Sequence, residues 1–268
     1  MRKIGFLGAG NMGFPILKGA VKLLGSEQTG FFEINDNRAA FVQSQTGAFR
    51  YQSEEELVRD CEYVLIALKP QVAPSVLQKL SGVITDRNRF ITIMAGISID
   101  TLRGWIHSNQ PIVRLMPNTP AMVDAGMTSL CFNGCDENSV EVQFVRSLCE
   151  CFGRVAIINE NLMNAAVCAN GSSPAYVYMF IEALADSVVK YGIPRDMAYV
   201  LAAQTVLGSA KMVLESGEIP AKLKDNVCSP GGTTMAGVSA LEREGFRNAV
   251  FQATDACYAK SVELGKKD

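Results

Sequence analysis

The chain has 268 residues, 48% of them apolar and 19% charged, with a formal net charge of −2. That length exceeds an ordinary single domain and predicts two. The near-neutral balance, with both signs interspersed, argues against nucleic acid as the main partner, and no uninterrupted apolar run approaches the roughly 18 residues a membrane span needs.

Met1-Arg2-Lys3 resembles the start of a signal peptide, but Gly8, Gly10, Asn11 and Gly13 interrupt any apolar continuation, so a soluble cytoplasmic protein is expected. Ile4–Leu7 reads as a strand. Directly after it Gly8-Ala9-Gly10-Asn11-Met12-Gly13 matches G-x-G-x-x-G and opens a helix, Asn11–Leu24. Alone that pattern is weak, but strand before and helix after is the context a dinucleotide fingerprint requires. Gly8 allows the tight turn, Gly10 the approach of a pyrophosphate, Gly13 close packing of helix on strand. The second strand, Phe31–Ile34, runs into Asn35-Asp36-Asn37-Arg38. An acid here accepts the ribose hydroxyls of NAD, whereas an arginine accommodates the 2′-phosphate of NADP. Asp36 and Arg38 argue in opposite directions, so NADPH and NADH both stay open, with Asn35 and Asp36 as cofactor candidates.

Helices follow at Arg38–Gln45 and Ser53–Cys61, the latter opened by the capping box Ser53-Glu54-Glu55-Glu56. Strand Tyr63–Ala67 leads into Ala67-Leu68-Lys69-Pro70, helix Pro74–Leu80 follows, and strand Phe90–Met94 leads into Met94-Ala95-Gly96. Strand Ile112–Leu115 passes into Arg114-Leu115-Met116-Pro117-Asn118-Thr119-Pro120, and helix Asn138–Cys151 with strand Val155–Ile158 closes this half. Apolar strands alternating with helices indicate a parallel sheet covered on both faces. Ligands bind beyond the carboxyl ends of such strands, which makes Ala67, Leu68, Lys69, Pro70, Met94, Ala95 and Asn118 cofactor candidates. A solvated loop lysine is the plain alternative for Lys69.

After Asn159 only helices are legible: Ser173–Tyr191, Arg195–Glu215, Thr233–Glu244 and Phe246–Leu264, with Gly192-Ile193-Pro194 as a stop and start between the first two. Glu182, Asp186 and Lys190 form one narrow polar stripe, and Gln204, Lys211 and Glu215 another. Helices so apolar want burial nearly all round, and about 110 residues offer little protein to bury them in. A homo-oligomer built on this half is expected; packing against the first half is the alternative. The domains are therefore drawn at 1–158 and 159–268.

Eight cysteines raise the question of a metal or a disulfide framework. The close pairs Cys131/Cys135 and Cys149/Cys151 lack C-x-x-C spacing, and the single histidine, His107, has no ligand companions nearby. Reduced thiols and no metal site are expected.

Several blocks then stand together. Ala67-Leu68-Lys69-Pro70, Arg114–Pro120, Gly171-Ser172-Ser173-Pro174-Ala175-Tyr176, Gly192-Ile193-Pro194-Arg195, Leu223-Lys224-Asp225-Asn226 and Ser229-Pro230-Gly231-Gly232-Thr233-Thr234 occur in the order seen in pyrroline-5-carboxylate reductases. The last block, continuing to Ala236-Gly237 and Leu241-Glu242, is the most specific, and the resemblance covers essentially the whole chain. It implies an α/β Rossmann-type dinucleotide-binding domain followed by an all-α dimerisation domain, in dimers often assembled into decamers. It implies reduction of the cyclic imine 1-pyrroline-5-carboxylate to L-proline with NADPH or NADH, the last step of proline biosynthesis. By the same resemblance the substrate carboxylate meets backbone amides of Gly232, Thr233 and Thr234, the catalytic Thr234 hydroxyl faces the ring nitrogen, Glu160 and Val227 lie near substrate, and Asn226 lies near cofactor.

Such a reaction needs little acid–base machinery, because a protonated imine is already electrophilic; the protein has to hold the reactants together. Four positions depart from the family: Asn164, Cys168, Asn170 and Ser173 stand where an aspartate, a threonine, a serine and a glycine are usual. Two other readings stay in view. A β-hydroxyacid dehydrogenase needs a lysine on the long interdomain helix with an asparagine about four residues later, a pair that Asn170–Ile181 lacks. A dinucleotide-binding regulator without turnover is left open by the departures.

Overall fold

The computed structural model describes residues 1–265. By compactness the chain divides into Met1–Ser172, joined by the stretch from Cys257, and Ser173–Ala256.

The first unit holds one eight-stranded sheet: β1 (Arg2–Leu7), β2 (Thr29–Phe32), β3 (Phe49–Arg50), β4 (Cys61–Ile66), β5 (Arg89–Thr92), β6 (Ile112–Met116), β7 (Gly126–Asn133) and β8 (Gly153–Ile157). Their spatial order is 3-2-1-4-5-6-7-8. Every pairing is parallel except β6 with β7. The sheet is therefore not wholly parallel, as the apolar runs had suggested.

Alternation along each strand explains the continuous apolar runs, since successive residues serve opposite faces. Phe6, Leu65, Ile91 and Val113 pack with Ile16 and Leu17 of α1 (Gly13–Leu24), Val42 of α2 (Asp36–Thr46) and Val145 of α6 (Val140–Glu150). Leu7, Val64, Ile66 and Phe90 pack on the other side with Leu57 of α3 (Glu54–Asp60), Leu77 of α4 (Ala73–Leu80) and Leu102 of α5 (Ile99–Ile106). After β8 come the short α7 (Met163–Ala166) and a wide π turn, Val167–Gly171. Met163 belongs to the second core cluster, so compactness draws its line at residue 172, later than the change of pattern at 159.

The second unit is helical: α8 (Ser173–Val189), α9 (Arg195–Ser216), α10 (Pro220–Val227), α11 (Thr233–Arg243) and the first part of α12 (Phe246–Leu264). Its buried core consists of Ala185, Ala198 and Ala202, with Ile181, Leu184, Val188, Val189 and Ile193 packed against them. The all-round burial expected of α8 and α9 is absent in the single chain: Met179 is 68% exposed, Val200 67% and Leu207 59%. By length and composition α9 would also suffice to cross a membrane. Gln204 and Lys211 break its apolar run without making the helix polar on average.

Candidate active site

The glycine turn is shaped by what surrounds each glycine. Gly8 has φ +93°, and a Cβ there would stand 2.8 Å from the Ala67 carbonyl oxygen. A Cβ on Gly13 would meet the Gly8 carbonyl oxygen at 2.7 Å. Gly10 is different: nothing lies within 4 Å of its Cβ position. Two glycines are thus demanded by the protein's own packing, and the third leaves the backbone open where a pyrophosphate would approach the start of α1. The cradle fits a dinucleotide.

Polar side chains tie this turn to the end of β2. Glu33 accepts hydrogen bonds from the Ala9 amide (3.0 Å) and the Asn35 amide (3.1 Å). Asn35 caps α2 by accepting from the Arg38 amide at 2.9 Å. The Arg38 guanidinium donates to the carbonyls of Ala9 (2.8 Å) and Gly10 (3.2 Å) between the rings of Phe14 and Phe41. Asp36 is largely exposed and paired with Arg50. Asp36 and Arg38 therefore do not compete for one position; each has its own partner. Glu33, which the sequence reading passed over, is the acid that braces the turn. Its position at the end of β2 was the available signal.

The remaining cofactor candidates follow the carboxyl ends of neighbouring strands. Ala67, Leu68, Lys69 and Pro70 follow β4, and the Lys69 carbonyl accepts from the Val72 and Ala73 amides as α4 begins (3.0 and 3.1 Å). The Lys69 side chain is exposed. Met94 and Ala95 follow β5, with Met94 buried and Ala95 exposed. Asn118, beyond β6, is buried and accepts from the Met127 amide at 2.9 Å. With Asn11 and Met12 in the glycine turn, these positions gather at one edge of the sheet.

Glu160 lies in the same unit. Its Oε1 accepts from the Ile99 amide, at the first residue of α5, at 2.7 Å, and from Arg114 Nη1 at 3.0 Å. Arg114 is 4% exposed and its Nε has no partner among the described residues. Beside Glu160 opens a cleft of about 410 Å³ lined also by Cys131, Glu137 and Asn159. Burial, reinforced by the Glu160 charge, pushes the Cys131 thiol up to about 12, so it stays protonated and inert. All eight cysteines are free thiols. Among the described residues no group of three or more His, Cys, Asp or Glu is placed to hold a metal.

In the second unit Asn226 and Val227 end α10, both exposed. Gly231 has φ +69°, and a Cβ on Gly232 would stand 2.4 Å from Ser229 Oγ. The Gly232 amide donates to the Ser229 carbonyl at 3.0 Å, so it is used within the turn. Thr233 and Thr234 are the first two residues of α11 and are exposed. Their amides occupy positions where a helix supplies no acceptor of its own.

A family model described as pyrroline-5-carboxylate reductase dimerisation matches residues 160–264, and one described as NADP oxidoreductase coenzyme F420-dependent matches residues 3–96. The chain is 42% identical over 270 residues to the pyrroline-5-carboxylate reductase of Escherichia coli (strain K12), covering 99% of both chains. It is 40% identical over 267 residues to that of Synechocystis, again covering 99% of each. The crystal structure of a Plasmodium falciparum pyrroline carboxylate reductase with NADP bound superposes with a TM-score of 0.88 at 34% identity, over 99% of this chain and 98% of that one. With end-to-end identity above 40% and a Rossmann-type sheet followed by helices, this chain belongs to the pyrroline-5-carboxylate reductase family.

Proposed function

We propose that the protein reduces 1-pyrroline-5-carboxylate to L-proline with NADPH or NADH, completing proline biosynthesis. The carrying observation is the open glycine cradle at the sheet edge, in a chain matched throughout by reductases of this name. Gly8, Ala9, Gly10, Asn11, Met12 and Gly13 hold the pyrophosphate, Asn35 and Asp36 border the adenosine ribose, and Ala67, Leu68, Lys69, Pro70, Met94, Ala95, Asn118 and Asn226 line the rest of the cofactor. The bound nicotinamide supplies the hydride. The protein's own work is placement: amides of Thr233 and Thr234 receive the substrate carboxylate at the positive end of α11, and the Thr234 hydroxyl meets the ring nitrogen as its charge is lost. Glu160, Val227 and Gly232 border the substrate, although the Gly232 amide serves its own turn. No side chain with a perturbed pKa is required, because the protonated imine carries its own activation.

The functional boundary we propose lies between residues 158 and 159, with substrate binding and dimerisation assigned to 159–268. The dimerisation match makes the protein a homo-oligomer; a dimer, with a decamer as its higher assembly, is the proposed form. A cytoplasmic location belongs to the same proposal. The direct test is oxidation of NADPH and of NADH by purified protein with and without the imine. Folded protein that oxidises neither would favour the regulatory alternative.

A further inference from the structure

Asn170, one of the four departures from the family pattern, is buried at 7% exposure inside the π turn. There the Ser172 amide reaches back five residues to the Val167 carbonyl at 2.8 Å. The wide turn carries the Asn170 side chain to the end of the β6–β7 ladder. Its Nδ2 donates to the carbonyls of Met116 (2.8 Å) and Met127 (3.1 Å), and its Oδ1 accepts from Ser129 Oγ (3.2 Å). Regular pairing runs out at Met116 opposite Ser129, and the next residue is Pro117, which has no N–H. Beyond that point two asparagine side chains stand in for backbone. Asn118 Oδ1 takes the Met127 N–H, and Asn170 Nδ2 takes the Met127 carbonyl. A serine, usual here in the family, is too short to span both carbonyls.

We infer that Asn170 is a positioning residue for the cofactor: by gripping Met116 and Met127 it fixes the segment that presents Asn118. The inference rests on the assignment of Asn118 to the cofactor, proposed above. π turns of this kind concentrate at functional sites, and this one places a fully bonded amide where the ladder would otherwise fray.

The test is the dissociation constant of NADPH, measured by fluorescence titration of the full-length protein, beside the KM for the imine and the thermal midpoint. Asn170→Ser removes the reach. Asn170→Asp keeps the volume but presents an acceptor to two carbonyls, which separates lost donors from lost packing. Both variants should weaken NADPH binding about fivefold, the scale of one hydrogen bond, with the imine KM unchanged. In the Asn118→Ala background Asn170→Ser should add almost nothing, because coupled neighbours are not additive. If Asn118→Ala weakens NADPH binding while both Asn170 variants bind normally, the inference is overturned and the Asn118 assignment stands. If Asn118→Ala itself binds normally, the assignment falls and takes the inference with it. A lower thermal midpoint without a change in NADPH affinity would make Asn170 a structural residue only.

Discussion

Thr233 and Thr234 are adjacent, exposed and identical in type, yet the proposed chemistry separates them. Both offer an amide at the start of α11, which a side-chain change leaves in place; only Thr234 is asked for its hydroxyl. Thr234→Val keeps the shape and removes that contact, and should lower kcat/KM for the imine by about ten- to a thousandfold. Thr233→Val should cost far less, and NADPH should bind both normally. Equal losses in the two variants would show the hydroxyl assigned to the wrong residue. Asp36, proposed to border the adenosine ribose, holds Arg50 on an exposed surface. Asp36→Ala removes a negative charge and frees a positive one, so the kcat/KM ratio of NADPH over NADH should rise. Since the pair is solvated, the change should be modest, about two- to fivefold. An unchanged ratio would place Asp36 outside the pocket.

Among the elements, what was legible in the sequence is what packing left uncontested. Ile4–Leu7 of β1 and Tyr63–Ile66 of β4 form unbroken apolar or glycine runs because both faces of the sheet are covered, and the glycine turn is legible because packing dictates Gly8 and Gly13. β7 was missed: Thr128 and Ser129 are polar yet buried, for Ser129 hydrogen-bonds Asn170, a partner invisible before folding. α5 was missed although Ile99, Leu102 and Ile106 repeat at helical spacing and Ser98 caps the Thr101 amide at 3.0 Å; Gly104 inside it weakens the helical pattern. α10 is shorter in pattern still, with no buried residue to mark a face. The Glu160–Arg114 pair could not be read at all, since it joins residues far apart in sequence. That pair makes an asymmetric prediction about stability. Arg114 is almost fully buried while Glu160 is about one third exposed. Glu160→Leu strands the buried cation and should destabilise by about 3–5 kcal/mol, whereas Arg114→Met leaves a carboxylate that water can reach and should cost less. The double variant should recover part of the loss. Urea midpoints that rank the two single variants the other way would mean Arg114 finds another counter-charge.

For the whole molecule the decisive feature is that the second unit leaves much of its apolar surface uncovered in the single chain. Three alanines form its buried core, while Tyr178, Met179, Val200, Leu207, Met212 and Phe251 stand 55–68% exposed. An apolar cleft of about 540 Å³ between Tyr176, Phe180, Leu241 and Phe246 is open as well. Isolated apolar residues on a surface are ordinary, but so many large ones exposed on α8, α9 and α12 of one small unit mark an interface. Val200, Leu207 and Met212 lie on α9, which is apolar enough to suit a membrane, and a second copy of the chain is the partner that the dimerisation match favours. Interfaces that bury such surfaces permanently resemble a domain core cut in half. Folding and association should therefore be one event, and the thermal midpoint should rise with protein concentration. Sedimentation should find no monomer at micromolar concentration. A glutamate in place of Met179 or Leu207 should lower the midpoint steeply and shift the species toward monomer or aggregate, while Glu215→Gln on the polar stripe of α9 should change neither. A stable, folded monomer of the unaltered chain at micromolar concentration would defeat this reading and return α9 to the question of what else covers it.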